Sequence, residues 1–191
     1  VQTQEMEDYM DGIHLLIEEH KNIIKLTQIM KQECIEILEG KIVDTQRFRE
    51  FIHFCREYAD QHHHGKEEKI LFRIMMAELG AVAEKLIRSG MLVEHDLGRY
   101  HMNELEKALV EYGREPSSVA KLEVITNASE YASLLKRHID KEDNVAFAFA
   151  GRSLPQELIT VVNRETEEFE VSPQAMETKR QFEDWLSKQS L

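Results

Sequence analysis

Apolar residues recur at three- and four-residue intervals along most of this chain, a rhythm that predicts helices rather than strands. The first stripe runs Ile13, Leu16, Ile17, His20, Ile23, Ile24, Thr27, Met30, Cys34, Ile37 and Leu38, with a histidine in the middle of its apolar face. Gly40 ends that helix and Asp44 is placed to cap the next, whose stripe reads Ile52, Ala59, His63, Glu67, Ile70 and Ile74. At 100° per residue these positions fall within about 40° of His63. A third helix is expected from near Gly90, carrying Leu92, His95, Met102 and Leu105 and closing at Gly113. After the Pro116-Ser117-Ser118 turn, a fourth presents Tyr131, Leu134, His138, Glu142, Val145 and Phe149. No proline precedes Pro116 and β-branched alternation is scarce, so the fold class is all-α.

Chain length decides whether the inward histidines can meet. From His20 to Leu38 and from Thr45 to His63 there are 18 steps each, and the same count separates His95 from Gly113 and Ala120 from His138. At 1.5 Å per residue each path is about 27 Å, so all four histidines come level across an antiparallel up-down-up-down four-helix bundle. Residues 8–150 make up that bundle. Residues 151–191 form a C-terminal helical extension: Ser153-Leu154-Pro155 starts one helix to about Phe169, and Ser172-Pro173 starts another containing Phe182, Trp185 and Leu186. The extension packs on the bundle or on a second subunit, which leaves a homodimer open.

The chain also repeats itself. His63-His64-Gly65-Lys66-Glu67-Glu68 and His138-Ile139-Asp140-Lys141-Glu142-Asp143 correspond at an offset of 75, and the same offset carries Glu19-His20 onto Glu94-His95. Of the nine histidines, only His20, His63, His95 and His138 map onto one another, and Glu67 maps onto Glu142. In each His-x-x-x-Glu the i to i+4 spacing puts imidazole and carboxylate on one helix face. Two carboxylates brought into a helical core require a cation. Four imidazoles and two carboxylates without thiolate suit iron or manganese and tolerate zinc. The symmetry suggests two ions, each with two imidazoles and both spanned by Glu67 and Glu142. A solvent-derived oxo or hydroxo bridge would give each ion a fifth ligand, leaving a sixth position for dioxygen, nitric oxide or peroxide.

On these residues the chain resembles the hemerythrin-like, or HHE cation-binding, family over about residues 10 to 170. The resemblance rests on Glu19-His20, on His63 to Glu68 followed by Leu71-Phe72, on Glu94-His95-Asp96-Leu97-Gly98-Arg99, and on His138 to Asp143. It implies a non-haem di-iron centre with His20, His63, Glu67, His95, His138 and Glu142 in the ligand positions. The family's oxygen carriers have a further histidine four residues away on the third helix, but here the positions flanking His95 are Met91 and Arg99. A simple oxygen store is therefore less expected than a centre with two open positions, like that of the family's iron-sulfur-repair and nitric-oxide-responsive members. Those members usually carry an extra N-terminal cysteine-containing domain that this sequence does not show, so their role is not carried over whole. Arg73 stands where the family often has proline, and nothing functional follows from it.

Other candidates have blander readings. His64 and Glu68 form a second i, i+4 pair, read here as a solvated edge in preference to hydrogen-bonding support for an inner ligand. His62, Tyr58 and Tyr131 are read as packing residues, and His14, His53 and His101 as surface or core residues without a partner pattern. Gly98 provides either space near the metals or close helix packing. Cys34 and Cys55 lack metal spacing and are expected as buried reduced thiols.

Composition narrows the partners. With 24 basic against 36 acidic residues the net charge is -12, which disfavours nucleic acid and anionic membranes. No apolar run approaches the ~18 residues of a membrane span, and Val1 to Glu7 lacks signal-peptide character, so a cytoplasmic location is expected. There is no phosphate-binding glycine loop and no nucleophile beside a base, so any chemistry belongs to the metals. Two functions remain in view: redox processing of a small oxidant, whose redox partner the sequence does not name, and non-catalytic sensing of oxygen, nitric oxide or iron. Whether the protein is an enzyme stays open at this stage, and a metal-free structural bundle is disfavoured by the buried carboxylates.

Overall fold

The computed structural model describes residues 11–189, which are helical almost throughout, with no strand among the described residues. Residues 8–10 and 190–191, included in the expected domain limits, lie outside the described residues, as does the Val1 to Glu7 segment read for a signal. Helix one, Gly12–Leu38, starts where the Asp11 carboxylate accepts the N–H groups of Ile13 and His14 at 3.1 Å each. It ends at a turn in which Gly40 takes φ +110° and the Lys41 N–H donates to the Glu36 carbonyl at 2.9 Å.

Helix two, residues 45–78, is capped by Asp44, which accepts the Arg47 N–H at 3.0 Å. It alternates α- and π-helical turns, with π character over Cys55–His64 and Glu67–Leu71. After the left-handed Gly80 (φ +68°), helix three runs over residues 80–114, about ten residues earlier than the sequence pattern suggests and one residue past Gly113. The early start has a packing cause: the segment buries Ala83 and Ile87 against helix-two residues. Gly90, read as a boundary, lies inside the π turn Ile87–Met91. Helix four, residues 118–153, is capped by Ser117, which accepts the Ala120 N–H at 3.1 Å. Helix five, Gln156–Glu170, follows Pro155, and helix six, Pro173–Ser187, is capped by Ser172. No helix among the described residues is long and apolar enough to cross a membrane.

Two apolar clusters flank a polar layer. One gathers Ile23, Leu26, Met30, Phe51, Ala59, Met102, Leu105, Ala128 and Leu135. The other gathers Leu16, Ile70, Phe72, Met75, Ile87, Met91, Ala146 and Phe147. Between them each of the first four helices contributes buried polar residues: His20, then His63 and Glu67, then His95, then His138 and Glu142. Along the chain the order of the clusters alternates, from Leu16 to Ile23, Ala59 to Ile70, Met91 to Met102 and Leu135 to Ala146. Cys34 and Cys55 are free and buried.

The last two helices lie against these same clusters. Val162 of helix five joins the second, and the Gly12 N–H donates to the Asn163 side chain at 3.0 Å. A β-carbon at Gly12 would come within 2.8 Å of the Thr166 hydroxyl, so helices one and five touch where only glycine fits. Phe182 of helix six is fully buried, stacked 3.9 Å from Tyr58 and edge-on to Phe54. Removing a buried aromatic ring of this kind costs about 3–5 kcal/mol. Phe182→Ala is therefore expected to lower unfolding free energy by about 3 kcal/mol in a denaturant titration; a loss below about 1 kcal/mol would mean helix six is not part of the core.

Candidate metal centre

Glu67 and Glu142 are the most deeply buried charged residues of the polar layer, with no exposed surface. Each opens a five-residue π turn, Glu67–Leu71 and Glu142–Ala146, at equivalent places in the repeat. Such widened turns concentrate at functional sites because they re-aim a side chain without breaking the helix. Around the two carboxylates stand His20, His63, His95 and His138, each 2% exposed or less. The six residues proposed from sequence are thus brought together in one layer.

The carboxylates reach both pairs of imidazoles. Glu67 Oε1 lies 3.8 Å from His20 Nε2 and 3.4 Å from His63 Nε2, while its Oε2 lies 3.6 Å from His95 Nε2. Glu142 Oε2 lies 3.3 Å from His20 Nε2, while its Oε1 lies 3.6 and 3.1 Å from the Nε2 atoms of His95 and His138. Two donors on one ion, each at a bond length of about 2.1 Å, stand roughly 3 to 4.2 Å apart. The observed separations fit that range, and each carboxylate turns one oxygen toward each pair.

Whether the residues suit a metal is tested by their unused valences. The four Nε2 atoms and all four oxygens of Glu67 and Glu142 are buried without a hydrogen-bond partner. Leaving so many polar atoms unsatisfied would cost about 1–3 kcal/mol each, more for charged groups. Of the ten such atoms among the described residues, eight are the inward donors of these six residues and the other two are Tyr58 Oη and His62 Nδ1, so the donor set fits a metal centre.

The outer nitrogens are fully engaged. Nδ1 of His63 donates to Glu19 at 2.8 Å and Nδ1 of His138 to Glu94 at 2.9 Å. Nδ1 of His20 donates to Asp143 at 2.7 Å and Nδ1 of His95 to Glu68 at 2.7 Å. These carboxylates fix the tautomer that leaves Nε2 free and hold each ring's direction. The repeat extends to them, since Glu19 maps to Glu94, Glu68 to Asp143, and Lys66, which pairs with Glu19, to Lys141, which pairs with Glu94.

Two sequence expectations are corrected here. His64 and Glu68 are not a solvated edge: His64 is buried and lies parallel to His95 at 3.8 Å, and Glu68 is the carboxylate that holds His95. Helical angle alone placed this pair off the main face, but the π turns bring it around. His62 is more than a packing residue. It lies against Tyr58, yet its Nε2 is 3.1 Å from Glu19 and from Glu170 of helix five, beside the buried Lys66 ammonium that pairs with both carboxylates. The offset of 75 marked Glu19, Glu68, Glu94 and Asp143 as paired positions, whereas Glu170 had no sequence signal. His14 is exposed, and His101 faces Asn127 at 3.3 Å, away from the layer. Gly98 has room: a β-carbon there would sit 3.5 Å from Tyr131, an ordinary contact. It borders a cavity of about 310 Å3 that reaches His64, His95 and Tyr131.

The charge balance follows from this packing. Burial lowers the affinity of His20, His95 and His138 for a proton, but the surrounding carboxylates outweigh it. Asp143 and Glu142 raise His20 to about 9, Glu142 and Glu68 raise His95 to about 9, and Glu142 and Glu94 raise His138 to about 10. Burial and Glu142 push Glu67 upward, yet the imidazoles, His63 foremost, leave it below the ordinary carboxylate value. Burial likewise opposes ionisation of Glu142, and His138, His20 and His95 hold it well below that value. Burial and the neighbouring His95 drive His64 down to about 3.

An all-helical protein with a buried His/Glu cation site is the class these features define. The family model described as hemerythrin HHE cation binding domain matches residues 11–150, and the chain belongs to that family. Comparison with curated proteins finds no match.

The raised imidazole values give a pH prediction. With protons as the only counter-charge, stability from these histidines is complete below their unfolded value of about 6.5 and is lost as pH rises through 9 to 10. A metal must displace the same protons. Adding ferrous iron anaerobically at pH 7.5 to metal-stripped protein is expected to release protons from His20, His95 and His138, read calorimetrically in buffers of different ionisation enthalpy. Binding without proton release would contradict this account of the site.

Proposed function

We propose that this protein holds two iron ions among His20, His63, Glu67, His95, His138 and Glu142, and that it binds and reduces a small oxidant such as dioxygen, nitric oxide or peroxide there. The observation that carries this reading is the coincidence of the buried, unpartnered donor atoms with the inward faces of those six residues. His20 and His63 would serve one ion and His95 and His138 the other, with Glu67 and Glu142 spanning both, as their split contacts support. Nitrogen and oxygen donors without thiolate suit iron, while manganese or zinc would also be accepted. A pair of irons, when bound, supplies one- and two-electron chemistry toward small oxidants. The chain's own part is to aim the imidazoles, through Glu19, Glu94, Glu68 and Asp143, and to shield the layer between two apolar clusters. The alternating order of those clusters supports an antiparallel up-down-up-down bundle over residues 8–150, with residues 151–191 as an extension.

A second reading, a non-catalytic sensor, is favoured by one contact. Lys66 ties Glu19, the carboxylate that orients His63, to Glu170 of helix five. A change at the ions could be passed to the C-terminal helices along that path.

Metal analysis of protein purified from its native host, joined to the optical spectrum, tests the first part. Two irons per chain with oxo-bridge absorption are expected, and zinc or a single ion would sink the redox reading. Glu142→Ala should reduce retention of both ions, because that residue contacts both imidazole pairs. Anaerobic reduction followed by oxygen then separates the two functions: many rapid turnovers mark a reactive centre, and a stable reversible adduct marks a sensor.

A further inference from the structure

The duplication is matched at the four inward histidines but breaks at buried His64, whose counterpart in the second half is Ile139. Ile139 belongs to an apolar cluster, whereas His64 joins the polar layer. Its ring is parallel to that of His95, with centroids 3.8 Å apart and planes 5° from one another. The outer nitrogens of both rings are anchored on the same side. His64 Nδ1 is 3.3 Å from Asp60, His95 Nδ1 is 2.7 Å from Glu68, and Arg99 bridges those two carboxylates at 2.7 Å each. Parallel rings tethered at Nδ1 to one guanidinium-linked pair share their anchored side, and His95 Nε2, across the ring from its anchor, lies 3.6 Å from Glu67 and from Glu142. A ligand nitrogen of His64 lies within 4.8 Å of those of His95 and His138, and these three form a group separate from His20, His63, Glu67 and Glu142.

We infer that His64 is a fifth imidazole of the centre, ligating the ion of His95 and His138. The inference rests on the two-ion reading above. It makes the two positions unequal: His64, His95, His138, Glu67 and Glu142 would serve one, against His20, His63, Glu67 and Glu142 for the other. Asp60 and Arg99, which have no counterparts in the repeat because their mapped positions are Leu135 and Ile24, are then the residues that position this extra ligand. The ion served by fewer side chains is the one with room for an exogenous molecule, and the cavity beside Gly98 is lined by His64 and His95, ligands of the other.

The test begins with the unaltered protein, loaded anaerobically with ferrous iron and brought to the mixed-valent state. Pulsed electron paramagnetic resonance on the mixed-valent protein carrying nitrogen-15 histidine counts coordinated imidazoles, and Mössbauer spectroscopy on the diferrous protein, in which both irons have the same oxidation state, reads whether their surroundings are alike. Five coordinated imidazoles and two distinct irons are expected. Four imidazoles on two irons would overturn the role of His64 while leaving the two-ion reading intact, whereas fewer than two irons per chain would overturn both.

His64→Ile, which installs the residue already present at the mirrored position, checks the assignment. Its folding is verified by circular dichroism. One imidazole should disappear from the count, the two irons should become alike, and ferrous affinity at the second site should fall by about 10- to 100-fold. An unchanged imidazole count and unchanged affinity in a folded His64→Ile protein would overturn the inference.

Discussion

Two carboxylates with no access to water, Glu67 and Glu142, set the terms for everything around them. A buried carboxylate survives only with compensating charge, and the helices supply none directly at its oxygens, all four of which lack hydrogen-bond partners. Compensation therefore comes from protons on the facing imidazoles or from cations that replace them. Both solutions use the same geometry, which explains how the fold can present a metal site before the metal arrives. Ligand binding and folding are linked through this shared counter-charge, because each proton lost from His20, His95 or His138 must be matched by cationic charge held at the centre.

The architecture isolates that charge problem in one layer. Apolar clusters on either side exclude water, and each of the first four helices crosses the layer once with a histidine at the crossing. Beyond the inward donors lies a ring of carboxylates, and beyond that a pair of lysines, Lys66 and Lys141. Charge therefore alternates outward from the centre. This arrangement lets a net acidic chain concentrate anionic groups internally without leaving any of the outer ones unpaired, since Glu19 and Glu94 each hold a lysine as well as a histidine.

Much of this was legible in the sequence for a physical reason: a duplicated unit must present equivalent residues to a shared centre, so the offset of 75 selected His20, His63, His95, His138, Glu67 and Glu142 from the remaining histidines and acids. The helical periodicity was equally readable, because apolar stripes at 3.6-residue spacing have no alternative reading in a chain without strand patterns. What periodicity misjudged was His64 and Glu68. An ideal 100° step rotates them off the face, whereas the π turns at Cys55–His64 and Glu67–Leu71 widen the helix and change the angle. The early start of helix three was hidden by Gly90, which reads as a boundary but sits in a π turn with open space around it. Glu170 lay beyond reach of any local rule, since it sits outside the repeat and 104 positions from its partner Lys66.

That last contact gives the C-terminal helices a place in the chemistry of the site. Lys66 is almost wholly buried and pairs with Glu19 on one side and Glu170 on the other. Taking away one member of such a buried group strands the others, at a cost of about 3–5 kcal/mol. Helix five is therefore held by more than the apolar contacts of Val162, and the carboxylate that steadies His63 is held by more than helix one. In the other half Lys141 pairs with Glu94 on a half-exposed surface, where an ion pair is worth about 1 kcal/mol or less. The two halves of the repeat thus differ in how their orienting carboxylates are anchored as well as at the His64 and Ile139 positions. Glu19 is tied through Lys66 to helix five, whereas the lysine behind Glu94 is half exposed to solvent.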